Sequence, residues 1–314
     1  MRRSLTLATA LLATVTASSA LSAEYAEAVL TLDSRIVSQT HGEQDAAALY
    51  EAGSIGKFAC TIATLRLADR GMLSLDDTVG SLLPQFAESV IGPITLRQVM
   101  ASRSGIADGL MPAFRSDPRS VMATPDATTA IERFATGPLA FDPGTQWSYD
   151  LVNWIVVQAV LEDVSGLAIA PLLEREVLRP AGMDDSRIFL GRVGKGGAVP
   201  ASEAPPLPRF LTCAGGLATT PTDLLALARY PHNGGVGEAS LAELTRVHTP
   251  DEGYTLGGRF MRNDDGQPLS WQSGSNGAYK SLVTYDPASD TGFAAMTASG
   301  DSAEIEAARD AWME

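Results

Sequence analysis

At 314 residues, with 45% hydrophobic and 19% charged side chains, the chain has the length for one large domain or two medium ones. That composition excludes a disordered or fibrous protein. A formal net charge of −14, with no basic stripe, argues against nucleic acid or an anionic membrane as partner.

In chain order, Met1-Arg2-Arg3, the apolar run Leu5 to Val15 and a small-residue site at Ser18-Ser19-Ala20 or Leu21-Ser22-Ala23 predict a cleaved signal peptide over residues 1–23. Its removal deletes Arg2 and Arg3 and no acid, taking the net charge from −14 to −16. The mature protein is therefore expected in the periplasm or outside the cell. No later stretch is apolar for long enough to span a bilayer, so no stable membrane insertion is expected after cleavage. Residues 25–40 alternate as a hairpin turning at Asp33-Ser34. Phe58 to Arg70 reads as an apolar helix ended by Gly71.

Further helical patterns run over Thr95 to Ala101, Ala127 to Ala135, Val152 to Val164, Ala170 to Leu178 and Pro221 to Tyr230, with a Gly-, Ala- and Pro-rich loop over Gly191 to Pro208. Strands follow over Tyr254 to Arg262, Leu269 to Gly274, Tyr279 to Tyr285 and Thr291 to Thr297, joined by turns such as Ser275-Asn276-Gly277. Ala303 to Met313 closes the chain as a helix. Strands at both ends around a helical middle predict one unit over 24–314. Its sheet region would be 24–54 and 209–314, its helical region 55–208, with the site between them.

The chemistry starts at Ser54-Ile55-Gly56-Lys57. Of the three lysines (Lys57, Lys195, Lys280), only Lys57 has a serine three positions earlier. Ser54 falls at a helix N-terminus, where free N–H groups and the dipole favour negative charge on its oxygen. Residues three apart share a helix face, which puts the Lys57 amine beside that oxygen. A buried lysine that sheds its charge readily can then act as a base. The histidines His41, His232 and His248 are scattered without metal-ligand spacing, which argues against both a zinc site and a Ser-His-Asp triad. Apolar surroundings predict free buried thiols at Cys60 and Cys213, although an exported chain would permit a bridge.

Further segments fall in one order around the Ser-x-x-Lys: Ile94 to Gly105, Phe141-Asp142-Pro143-Gly144-Thr145-Gln146-Trp147-Ser148-Tyr149, Leu178 to Met183, Ala214-Gly215-Gly216-Leu217 and Gly274-Ser275-Asn276-Gly277. With them the chain resembles the serine hydrolases of the class C β-lactamase, penicillin-binding protein and family VIII esterase group. The resemblance implies an α/β architecture of the α+β type: an antiparallel sheet flanked by helices, with an inserted all-α region. It also implies Ser54 as acylated nucleophile, Lys57 as its proton acceptor and Tyr149 as relay to the leaving group. The backbone N–H groups of Ser54 and Ser275 would form the oxyanion hole. No cofactor or metal is expected.

Two departures bear on the substrate, which the strand residues Gln272, Ser273 and Gly274 and the helix residue Leu151 are expected to touch. Leu151 stands where β-lactam-handling relatives usually have asparagine, and Gln272 where they have lysine or histidine. Asp150 reads as the N-cap of the following helix, and Asn153 as a partial replacement for the missing amide. Gly274 reads as a point of close backbone approach. A neutral Gln272 and an apolar Leu151 favour small acyl esters, or amides, over carboxylate-bearing β-lactams and D-alanyl-D-alanine peptides. Hydrolysis of those carboxylate-bearing substrates is the alternative. A non-catalytic wall-binding or sensor protein is the rival from another class.

Overall fold

The computed structural model describes residues 23–263 and 265–314; the predicted signal peptide falls almost wholly outside them. Inward Ala26, Ala28 and Leu30 alternate with part-exposed Glu27 and Val29, and this period-2 pattern forms β1 (Ala26–Leu30). β1 pairs antiparallel with β2 (Ile36–Thr40), and the turn between them places Ser34 at φ 60°. The predicted hairpin is therefore present. The short strand β3 (Tyr50–Glu51) leads into α1 (Ile55–Asp69), whose apolar residues fall on every face and which is buried nearly all round. Gly71, at φ 69°, follows the end of that helix.

The helical middle holds α2 (Val79–Leu82), α3 (Leu96–Met100), α4 (Leu110–Ser116), α5 (Pro118–Met122), α6 (Ala127–Phe134), α7 (Leu151–Ser165), α8 (Ile169–Leu173) and α9 (Arg179–Ala181). Thr95 and Gln98 close a capping box on α3. The helix expected over Ala170 to Leu178 changes character instead, with a π-helical turn over Glu174–Leu178 after α8. Beyond it come β4 (Arg187–Ile188), α10 (Thr212–Gly215), β5 (Leu217–Thr219), α11 (Pro221–Arg229) and α12 (Glu238–Thr245). The chain ends with β6 (Arg259–Arg262), β7 (Pro268–Asn276), β8 (Tyr279–Asp286), β9 (Thr291–Thr297) and α13 (Ala303–Met313). The strand expected from Tyr254 starts only at Arg259, because Thr255 N–H bonds the Gly258 carbonyl and Gly257 turns the chain at φ 75°.

The main sheet runs β2-β1-β9-β8-β7-β6, all antiparallel, so strands from both ends of the chain share it. Its middle is buried on both faces: Phe293 and Ala295 of β9 pack with Ile305 of α13, whereas Ala294 and Met296 join the principal core with Leu224 and Leu225 of α11. A small sheet, β3-β5-β4, lies beside α1.

One expectation is overturned here: Cys60 and Cys213 are bonded to each other rather than free. α1 and α10 meet at backbone contact, where a Cβ added to Gly56 would lie 3.1 Å from the Gly215 Cα. This brings the two cysteine Cα atoms to 5.6 Å, within disulfide range. Apolar neighbours give the same signature for a thiol and for a bridged sulfur, so only the packing separates them.

Candidate active site

Ser54 stands just before α1 with helical backbone angles, and Lys57 lies one turn on, 1% exposed. The Lys57 amine donates to Ser54 Oγ at 2.9 Å and to the Ala214 carbonyl at 3.1 Å, and its Nζ lies 4.9 Å from the centre of the Tyr149 ring. The site therefore draws on three separate pieces of chain: the start of α1, the loop before α7, and α10. Burial drives the Lys57 pKa below that of an ordinary lysine; Tyr149 works against this and Arg259 adds to it. Burial also opposes ionisation of Tyr149, but the nearby Lys57 charge, hydrogen bonds with Ser54 and Lys57, and Arg259 together hold its phenol below the usual value.

The backbone around Ser54 is shaped by two close approaches. A Cβ on Gly53, at φ 53°, would come within 2.4 Å of the Ser275 nitrogen, and one on Gly274 would come within 1.9 Å of the Ala52 carbonyl oxygen. Glycine at both positions lets β7 lie directly against the residues that lead into α1. This places the Ser275 backbone beside Ser54. The close approach expected at Gly274 is thus where the sequence puts it.

A cavity of about 470 Å³ opens above Ser54, walled by Tyr149, Trp271, Ser273, Gly274 and Ser275 and bounded on its far side by Ile305 and Glu306 of α13. Gln272 is not part of that wall. It is 5% exposed and faces the other side of β7, its amide against Gly258 with Nε2 lacking a hydrogen-bond partner. The strand period explains this, because Trp271, Ser273 and Ser275 turn to the cavity while Gln272 turns away. Leu151 packs against the principal core and does not line the cavity. Asn153 is buried, accepting the Ser104 hydroxyl at 2.6 Å. Asp150 holds the N-cap position of α7 but makes no side-chain cap there; its carboxylate accepts the Ser148 hydroxyl instead.

The cation expected to be missing arrives from elsewhere. Arg259 of β6 pairs in register with Trp271 of β7, and its guanidinium carbon lies 5.6, 5.3 and 5.6 Å from the ring centres of Tyr149, Tyr254 and Trp271. Among the described residues no carboxylate lies within ion-pair distance of it. Lys280 and Arg309 also line the cavity, Lys280 donating to Ser275 Oγ at 2.8 Å. An arginine on an adjacent strand, four residues before the turn to β7, carries no local mark of a site.

The chain is 27% identical to the lovastatin esterase of Penicillium rubens over 155 residues, 43% of this chain and 38% of that one. It is 30% identical to esterase EstB of Burkholderia gladioli over 171 residues, 51% and 43% respectively, and 34% identical to a D-aminopeptidase of Cereibacter sphaeroides over 134 residues, 41% and 24%. Under half of each relative's length is matched. In fold, the chain is similar to a D-stereospecific amidohydrolase from Streptomyces sp., with a TM-score of 0.78 at 21% identity, covering 90% of this chain and 92% of the other. The family model described as Beta-lactamase matches residues 23–313, nearly the whole chain, and the chain therefore belongs to the Beta-lactamase family.

Proposed function

We propose that this serine hydrolase is exported and cleaves small acyl esters, or amides, through an acyl-enzyme on Ser54. The observation that carries the reading is the 2.9 Å contact between Ser54 Oγ and a fully buried Lys57. In its neutral form Lys57 accepts the Ser54 proton as Oγ bonds to the substrate carbonyl carbon. The Ser54 and Ser275 N–H groups face the developing oxyanion. As the bond to the leaving group breaks, Tyr149 passes the proton on to it, and water then releases the acyl group from Ser54 by the same relay in reverse. Two of the relatives above are named esterases, which supports the ester class.

A second reading has an observation of its own. Arg259, without an acidic partner beside the cavity, suits a substrate carboxylate, as on a β-lactam or a D-alanyl-D-alanine peptide. Gln272 and Leu151, which weighed against those substrates, lie outside the cavity wall. Intact-protein mass after incubation with a fluorophosphonate, a penicillin and a short-chain ester separates these readings. An adduct lost in Ser54→Ala supports the acyl-enzyme. No adduct with any of the three would leave a non-catalytic binding protein.

A further inference from the structure

Besides its contact with Tyr149, the Lys57 amine donates to Ser54 Oγ and to the Ala214 carbonyl, and the last lies 157 residues away in sequence. Cys60 sits one helical turn beyond Lys57 on α1, and Cys213 immediately precedes Ala214 on α10. Their bond thus joins the two segments next to the Ala214 carbonyl. Both sulfurs are in residues with no exposed surface. Gly56 and Gly215 meet where α1 touches α10, so no side chain separates the two backbones at that point. Cys213 also packs in the principal core and donates its N–H to Gln158 Oε1 at 3.3 Å.

We propose that the Cys60–Cys213 disulfide is a positioning element of acylation, clamping α10 to α1 so that the Ala214 carbonyl orients the Lys57 amine toward Ser54. The inference rests on the Ser54–Lys57 reading above. With one N–H donated to Ala214, the Lys57 nitrogen stays 2.9 Å from Ser54 Oγ, where the neutral amine can take the hydroxyl proton. Without that acceptor the amine loses a bond that fixes its position beside Ser54. A chain made in a reducing compartment would then carry folded but slow sites.

The test compares the oxidised protein, the Cys60→Val/Cys213→Ala variant, and protein reduced by dithiothreitol. In the last, dithiothreitol passes two electrons and two protons to the bond, giving two thiols and its own cyclic disulfide. Fluorophosphonate mass addition counts reactive Ser54 sites, and ester kinetics give kcat and KM per counted site. The site count should hold in all three forms. Since misplacements of about 1 Å can cost about 100-fold, kcat per site should fall about tenfold or more without the bond, with KM within about twofold. Re-oxidation of the reduced protein should restore it. An unchanged kcat per site in a folded, bond-free form overturns the proposal. So does a falling site count in which surviving sites keep their rate, or failure of both bond-free forms to fold, since either makes the bond only a staple of the fold. Absence of Ser54 labelling in the oxidised protein would instead remove the reading on which the proposal rests.

Discussion

The floor and the wall of the cavity are built on different principles. The floor is the start of α1, where Ser54 and Lys57 are placed by one helical turn, enclosed by core and bonded through Cys60 to α10. The wall is the β6–β7 edge with α13, where Arg259, Trp271, Ser273 and Arg309 meet only because separate elements pack together. On the proposed mechanism the floor carries the bond-making chemistry, where tolerance for misplacement is small. The wall faces open space, and on the proposed reading its cations bear first on which substrate is held, with Arg259 also acting on Lys57 and Tyr149 through its charge. Their difference makes reaction class and substrate preference separable on the proposed reading.

The largest effects should come from the floor. Ser54→Ala should abolish fluorophosphonate labelling and lower ester turnover by roughly 10⁴-fold or more, with circular dichroism unchanged. Lys57→Ala should fall comparably; retention of turnover in either folded variant would break the division of roles at its root. Tyr149→Phe keeps the ring and removes the proton relay, so kcat should drop about 10²–10⁴-fold while KM changes little.

At the wall, Arg259→Gln should act on selectivity. A charge-assisted hydrogen bond contributes about 1.5–3 kcal/mol, so kcat/KM for a chromogenic cephalosporin should fall roughly 10- to 100-fold. The value for p-nitrophenyl butyrate should move much less. Equal losses on both substrates would assign Arg259 to the floor's chemistry instead.

The same variant links the two regions through pH. Lys57 must be neutral to accept a proton, so kcat/KM should rise as pH climbs through its lowered pKa. Arg259 contributes to that lowering, after burial. Arg259→Gln should therefore raise the Lys57 pKa and move the rising limb of the profile to higher pH. A shift toward acid would contradict the assigned electrostatics.

The smallest effect should follow Gln272→His. The side chain faces Gly258 rather than the cavity, so the cephalosporin-to-butyrate ratio should change less than with Arg259→Gln. A larger change would return the recognition of substrate charge to β7.

By itself the sequence determined what depends on short spacings. The Ser54–Lys57 pairing follows from helix geometry, the β1–β2 hairpin from period-2 alternation, and β9 and α13 from uninterrupted patterns bounded by turns. The order of motifs that led to Tyr149 was equally readable. The tertiary structure decided what depends on partners distant in the chain. Cys60 met Cys213 across 153 residues, and Arg259 supplied a cation that Gln272 did not. Asp150, a good N-cap by residue type, gave its carboxylate to Ser148. In each case the side chain had more than one chemically sound partner. Local geometry constrains only neighbours within a turn or a strand pair, so the choice among distant partners falls to the packing of α1, α10 and β7.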